Sequence, residues 1–315
     1  MATGDEEHRT FMNRVVCFLA LLVLLLARTS AADPGILLIA HGGSTEWNGR
    51  VAELAAKINA TRPTEVAFGM ASRATLQGAI DRLVGRRVTD IIAVPLFVSS
   101  WSSVITSTEY LLGLRSEAPA ALASYAKMNH APTPSIGVAV GHDAHATQSA
   151  PTDGTIPVKS PVPVRMTSAL NQHPIVADIL ASRARTISRD ASNEAVIIVA
   201  HGPNEDDDNR RWLADMGVLA GRMKQAEPFA SVDYLTLRDD APKAVRDAAT
   251  EQLRGIVERQ IGAGRRVLIV PLLISFGGIE RGLRERLDGL SYAIPDTALM
   301  PDERLATWVL SVAAQ

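Results

Sequence analysis

A chain of 315 residues, 47% hydrophobic and 21% charged, is long enough for two ordinary domains with real cores. Its formal net charge of −2 gives no basic footprint and its 4% aromatic content few stacking platforms, which argues against nucleic acid as a partner. The single cysteine, Cys17, falls in the N-terminal leader, so the rest of the chain has no thiol for a disulfide or a cysteine metal site.

Residues 1–32 read as a signal peptide. Arg9 and Arg14 precede the apolar run Val15–Ala27, too short to span a bilayer comfortably, and Ser30, Ala31 and Ala32 supply a small-residue cleavage site. The expectation is an exported, periplasmic protein with no stable membrane span after cleavage. The acidic cluster Asp5, Glu6 and Glu7 is atypical of such a leader and keeps an uncleaved membrane anchor as the alternative.

Beyond the leader, the continuous apolar run Ile36–Ala40 is too short for a helix and reads as a buried parallel strand that ends in His41-Gly42. A helical pattern over 46–60 is ended by Pro63. Strand 65–70, helix face 76–84, strand 88–98 and helix 104–115 follow. Residues 129–163, rich in Pro, Ala, Gly, Ser and Thr and holding His130, His142 and His145, read as a disordered or lid-like insertion. Strand 164–169 and helix 174–188 complete a first unit, 33–190.

The second unit, 191–315, repeats this order. Strand 196–200 ends in His201-Gly202, followed by helix 206–225, strand 232–237, helix 242–261, strand 267–274, helix 280–287, strand 292–299 and helix 302–313. His41 pairs with His201, Pro95 with Pro271, and Ala169-Leu170 with Ala298-Leu299. The alternation predicts an α/β fold of two tandem parallel-sheet units, each four-stranded, with helices on both faces. Ligands of such sheets bind over the carboxyl ends of the strands, here in the cleft between the units.

His41 and His201 are accordingly the leading site candidates; the alternative is that each only hydrogen-bonds its own loop. No nucleophile elbow, Walker loop or dinucleotide glycine pattern accompanies them, so no nucleotide is expected. His142 and His145, flanking Asp143, can bind a divalent metal such as cobalt, nickel or zinc, or are chance histidines of a linker. The acids Glu205 to Asp208 suit a helix start better than a metal site. Arg210, Arg211 and Arg238 are candidates to meet an anionic substrate.

The segments HGGSTEWNGRV and HGPNEDDDNRR, the strands IIAVPLFV and VLIVPLLI, and the helix start HPIVADIL are similar to the sirohydrochlorin cobaltochelatase and ferrochelatase family, the class II tetrapyrrole chelatases. The resemblance runs from about Gly35 to about Ala313 in two units. It implies a chelatase-like fold and an enzyme that inserts a divalent metal (cobalt, iron or nickel, as substrate) into a sirohydrochlorin-type tetrapyrrole. It also implies a metal site made by a histidine after the first strand, a Glu after the second and a histidine after the third. His41 and His201 match the first position and would serve as metal ligands and proton acceptors. Met70 stands where the Glu is expected, the segment after Pro95 offers Trp101 and Ser103 but no histidine for the first unit's second position, and Ile279 takes the second unit's. Glu280 is the nearest replacement ligand, with Asp239 and the insertion histidines as others. The alternative is an exported, non-catalytic metal or tetrapyrrole binder. A tandem duplication is compatible with a monomer, since its halves supply the pairing a homodimer would.

Overall fold

The structure, a computed structural model, describes residues 33–129 and 153–315. The leader and His130, His142 and His145 lie outside the described residues. No helix among the described residues is long and apolar enough to cross a membrane.

The first half runs β1 (Gly35–Ala40), α1 (Thr45–Asn59), β2 (Thr64–Phe68), α2 (Arg73–Gly85), β3 (Ile91–Pro95), α3 (Ser103–Leu111), α4 (Leu122–Asn129) and β4 (Val164–Met166). Its strands form one parallel sheet in the order β2-β1-β3-β4. Helix α5 (Pro174–Ile187) closes the first half, and the second half runs β5 (Glu194–Ala200), α6 (Asp206–Ala226), β6 (Ser231–Thr236), α7 (Lys243–Gly262), β7 (Arg266–Leu272), α8 (Ile279–Arg286) and α9 (Arg304–Ala313). Its parallel sheet has the order β6-β5-β7.

Every residue of β1 and of β5 is buried, as their continuous apolar runs require of strands covered on both faces. Alternate side chains serve different cores. Ile36 and Leu38 of β1 and Val196 and Ile198 of β5 face a shared inner core with α1, α5, α6 and α9. Leu37 and Ile39 face an outer core under α2, α3 and α4, while Ile197 and Val199 face another under α7 and α8.

Three expectations are corrected. The second sheet has three strands among the described residues, because 292–299 makes only the isolated bridge Leu268↔Ala293 before Pro295, which has no N–H to continue a ladder. Residues 153–163 of the expected insertion are ordered. The Val158 N–H donates to the Leu111 carbonyl (2.8 Å), and the Gln77 side chain bonds both the N–H (2.8 Å) and the carbonyl (2.9 Å) of Lys159. Helix α3 stops at Leu111, short of 115, with Gly113 at φ 75° just beyond its cap, and the chain then forms α4.

The halves exchange their last helices. α5, which follows the first sheet, packs on α6 and β7 of the second half, and α9 returns to pack on α1 and β3 of the first. The two crossings are built alike. After β3, the N–H groups of Leu170 and Asn171 donate to Phe97 and Val98; after β7, those of Leu299 and Met300 donate to Leu273 and Ile274. Arg183 of α5 ties the second crossing through the carbonyls of Ala298 (2.7 Å), Leu299 (3.1 Å) and Pro301 (2.8 Å), and Arg165 of β4 donates to the Ala313 carbonyl at the end of α9 (2.9 Å).

Candidate functional site

Each central strand delivers its histidine through the same turn. Gly42 (φ 82°) and Gly202 (φ 79°) sit in the left-handed region and fold their carbonyls back onto the preceding imidazole. His41 Nδ1 lies 2.7 Å from the Gly42 oxygen and His201 Nδ1 2.8 Å from the Gly202 oxygen. A carbonyl only accepts, so each Nδ1 carries a proton in this geometry. At Gly202 the constraint is steric as well: a Cβ there would lie 2.5 Å from Thr236 Cβ. Thr236 is itself fixed, its hydroxyl donating to Asn209 Oδ1 (2.6 Å), and Asn48 Oδ1 accepts from the Gly43 N–H (2.9 Å) in the first half.

Both histidines line one cleft of about 940 Å³ between the halves, over the carboxyl ends of β1, β3, β5 and β7. His201 has an acidic neighbour there, with Nε2 3.4 Å from Asp240 Oδ2. Asp240 lies two residues before the α7 cap Pro242, as Met70 lies two before the α2 cap Ser72, and both line the cleft. Ser103 and Ile279, the first residues of α3 and α8, line it as well. The positions at which the resemblance implies metal ligands therefore all face this cavity, and only Asp240 brings a carboxylate to one of them. Asp239, the neighbour singled out from the sequence, is turned to Arg286.

The walls are aromatic and hydroxylic. Trp47, Phe97, Tyr125 and Trp212 are the cleft's aromatic lining, and the Tyr125 hydroxyl lies 2.6 Å from Ser103 Oγ. The wall is stitched across the halves: Trp212 Nε1 donates to the Trp101 carbonyl (2.7 Å), and Trp101 Nε1 donates to Asp215 Oδ2 (3.2 Å). Burial pushes the Asp215 carboxyl above its usual range, against the opposing effect of the Trp101 hydrogen bond. In return, Gly277 of the second half approaches so closely that a Cβ there would lie 3.4 Å from Trp47 Cδ1.

Glu280 is not on the cleft lining. Its Oε2 accepts from the N–H groups of Gly277 (3.0 Å) and Gly278 (2.9 Å) at the start of α8. Burial pushes its carboxyl up, but those backbone donors and Arg281 outweigh it and hold the group below the usual carboxylate range. The acidic run divides: Asp206 pairs with Arg238, while Glu205 and Asp208 reach the cleft. No group of three or more His, Cys, Asp or Glu side chains is arranged to hold a metal ion among the described residues. Sequence reasoning missed the aromatic walls, whose tryptophans stand at unequal distances from their histidines, and did not separate Asp240 from Asp239.

Two parallel sheets, exchanged helices and a cleft with a histidine at each central strand end define a chelatase-like α/β protein. The CbiX family model matches residues 35–187, the first of the two sheets and its helices, and the chain is similar to the class II chelatases over that stretch. Solved structures with the same fold include DR2241 from Deinococcus radiodurans, described as a multi-domain protein with structural similarity to chelatases (20% identity, TM-score 0.50, 90% of this chain and 55% of that one). Others are SirB from Bacillus subtilis with Fe3+ (14% identity, TM-score 0.57, 90% and 94%) and the sirohydrochlorin chelatase SirB in complex with cobalt (14%, TM-score 0.52, 90% and 94%). The chain thus spans just over half the length of DR2241. No curated protein matches it.

Proposed function

We propose that the chain inserts a divalent metal ion, cobalt or iron, into a sirohydrochlorin-type tetrapyrrole seated in the cleft. The observation that carries this reading is the pair of strand-end histidines, each with Nδ1–H given to a glycine carbonyl and both lining the shared cleft, His201 with Nε2 beside Asp240. Insertion requires one metal ion to enter the ring and two pyrrole protons to leave it. His201 and Asp240 receive the metal as substrate; two protein ligands hold it loosely enough to hand it on. His41, from the other half, accepts a pyrrole proton, and solvent takes the second. Trp47 and Trp212 present flat apolar faces that suit the macrocycle.

The test is cobalt insertion into sirohydrochlorin, followed by the absorbance of the metallated product. The protein is expected to exceed the spontaneous rate, with His201→Ala and Asp240→Asn each losing about 10²-fold or more. Unchanged insertion in the double variant His41→Ala/His201→Ala would sink the assignment.

A second reading, a non-catalytic carrier of metal or tetrapyrrole, is favoured by Met70, Ser103 and Ile279 at the expected ligand positions. Tight binding of both ligands without faster insertion would establish it. Export by residues 1–32 belongs to either reading and is checked by cell fractionation.

A further inference from the structure

Of the three arginines that the sequence offers for an anionic substrate, two are exposed on α6: Arg210 pairs with Asp207, and Arg211 stacks over Trp101 (4.5 Å to the ring centroid). Arg238 differs. Its side chain is only 12% exposed, it is not on the cleft lining, and all three of its guanidinium nitrogens donate into the segment that follows His201. Nε donates to the Pro203 carbonyl (3.1 Å), Nη2 to the Asn204 carbonyl and Nη1 to Asp206 Oδ1 (2.6 Å). Its own backbone N–H donates to the His201 carbonyl (2.6 Å). One residue thus joins, at four points, the loop that carries His201 to the loop that carries Asp240.

The backbone is bent to the same end. Arg238 lies at φ 54°, in the left-handed region that residues with a Cβ rarely enter, and its carbonyl accepts from the Ala241 N–H (3.0 Å) to close a turn with Asp240 at the third position. On the other side of that turn Asp239 pairs with Arg286, whose Nε donates to Thr250 Oγ1 (3.1 Å). Asp240 lies between these anchors, its Oδ2 3.4 Å from His201 Nε2. Two ligand atoms each held about 2.0–2.2 Å from a tetrahedral divalent ion stand about 3.4 Å apart, so this pair is already at the spacing the ion requires. The first half has the opposite character at both places. Ala40 pairs with Phe68 as Ala200 pairs with Thr236, so counting from the strand sets Met70, which has no guanidinium, in the place of Arg238. Carboxylate and guanidinium occur together in the second half.

Resting on the reading of His201 and Asp240 as the pair that receives the metal, we infer that Arg238 is the positioning residue of that pair. It ties the two loops together and so holds imidazole and carboxylate at the spacing of the ion, without itself touching the ion. Its charge works against the same end, because a cation near a metal site weakens uptake of the metal. Positioning and electrostatics therefore predict opposite signs for its removal. Residues that orient metal ligands typically change metal affinity by about 10–100-fold when replaced.

The test is Co2+ binding to the full chain, followed by calorimetry and by the visible absorption of the bound ion, the cleft's share being what His201→Ala removes. Arg238→Gln, which removes the charge, and Arg238→Lys, which keeps it but cannot fill three acceptors with a planar fork, are each expected to weaken that share by about 10–100-fold and to alter the absorption band. Asp239→Asn, which loosens the other side of the turn and leaves Arg238 in place, should give a smaller loss of the same kind. Combined with Asp240→Asn, Arg238→Lys is expected to have no further effect, since it acts through that carboxylate. Additive losses in this cycle, tighter binding in Arg238→Gln, or a lower melting temperature with unchanged Co2+ affinity would overturn the inference while the metal-receiving pair stands. If His201→Ala and Asp240→Asn both leave Co2+ binding unchanged, the pair itself fails and the inference falls with it.

Discussion

Ser99 and Ser275 hold matching places beyond β3 and β7, each four residues past the strand proline, and both are buried. Their hydroxyls are used differently. Ser99 Oγ accepts from the Trp101 N–H (3.1 Å), whereas Ser275 Oγ has no hydrogen-bond partner among the described residues, because the matching N–H of Gly277 donates to Glu280 instead. Removing a satisfied hydroxyl strands its partner, while removing an orphan relieves a buried polar group. Ser99→Ala is therefore expected to cost about 1 kcal/mol and Ser275→Ala to be neutral or slightly stabilising. Paired urea unfolding curves decide the matter, and equal losses would refute the asymmetry. At this scale the sequence is only partly legible. The histidines announce themselves because a buried apolar strand ends on each. Asp240 does not, because neighbouring loop residues point in different directions: Asp239 goes to Arg286 and Asp240 to His201.

Helix α8 shows how one side chain holds an element. Its cap, Gly278, has no side chain, and Glu280 reaches back from the first turn to accept from the N–H groups of Gly278 and Gly277 just before the helix. A carboxyl whose folded pKa lies below its unfolded value contributes stability above the unfolded pKa and loses it as pH falls through the folded one. Thermal melts from pH 7 down to pH 3 should therefore show a loss on the acid side of the ordinary carboxylate range that is reduced in Glu280→Gln. Superimposable profiles would show that this contact contributes nothing. Elements with one unambiguous pattern are readable in advance: β1, β5 and the proline-bearing β3 and β7 are continuous apolar runs, and α6 and α7 have long amphipathic repeats. Residues 292–299 mislead because their apolar content imitates a strand that Pro295 prevents. Helix α4 escapes because Leu122, Tyr125 and Ala126 give it little more than one turn of pattern next to a compositionally biased stretch.

The exchange of α5 and α9 makes one body of the two sheets. Trp308 of α9 is 1% exposed in the core common to both halves, so Trp308→Ala should cost about 3–5 kcal/mol and lower a single unfolding transition. Two separate transitions in calorimetry of the unmodified protein would contradict that coupling. The duplication is visible in the sequence, but the exchange is not, since α5 and α9 each present an apolar face that fits either sheet. The interlock also bears on inheritance. Neither half can be discarded without leaving the other short of a helix, so a half that has lost chemistry is still retained for its packing. The first half can thus carry Met70 and Ser103 at expected ligand positions and persist, its descent secured by the structural debt each half owes the other.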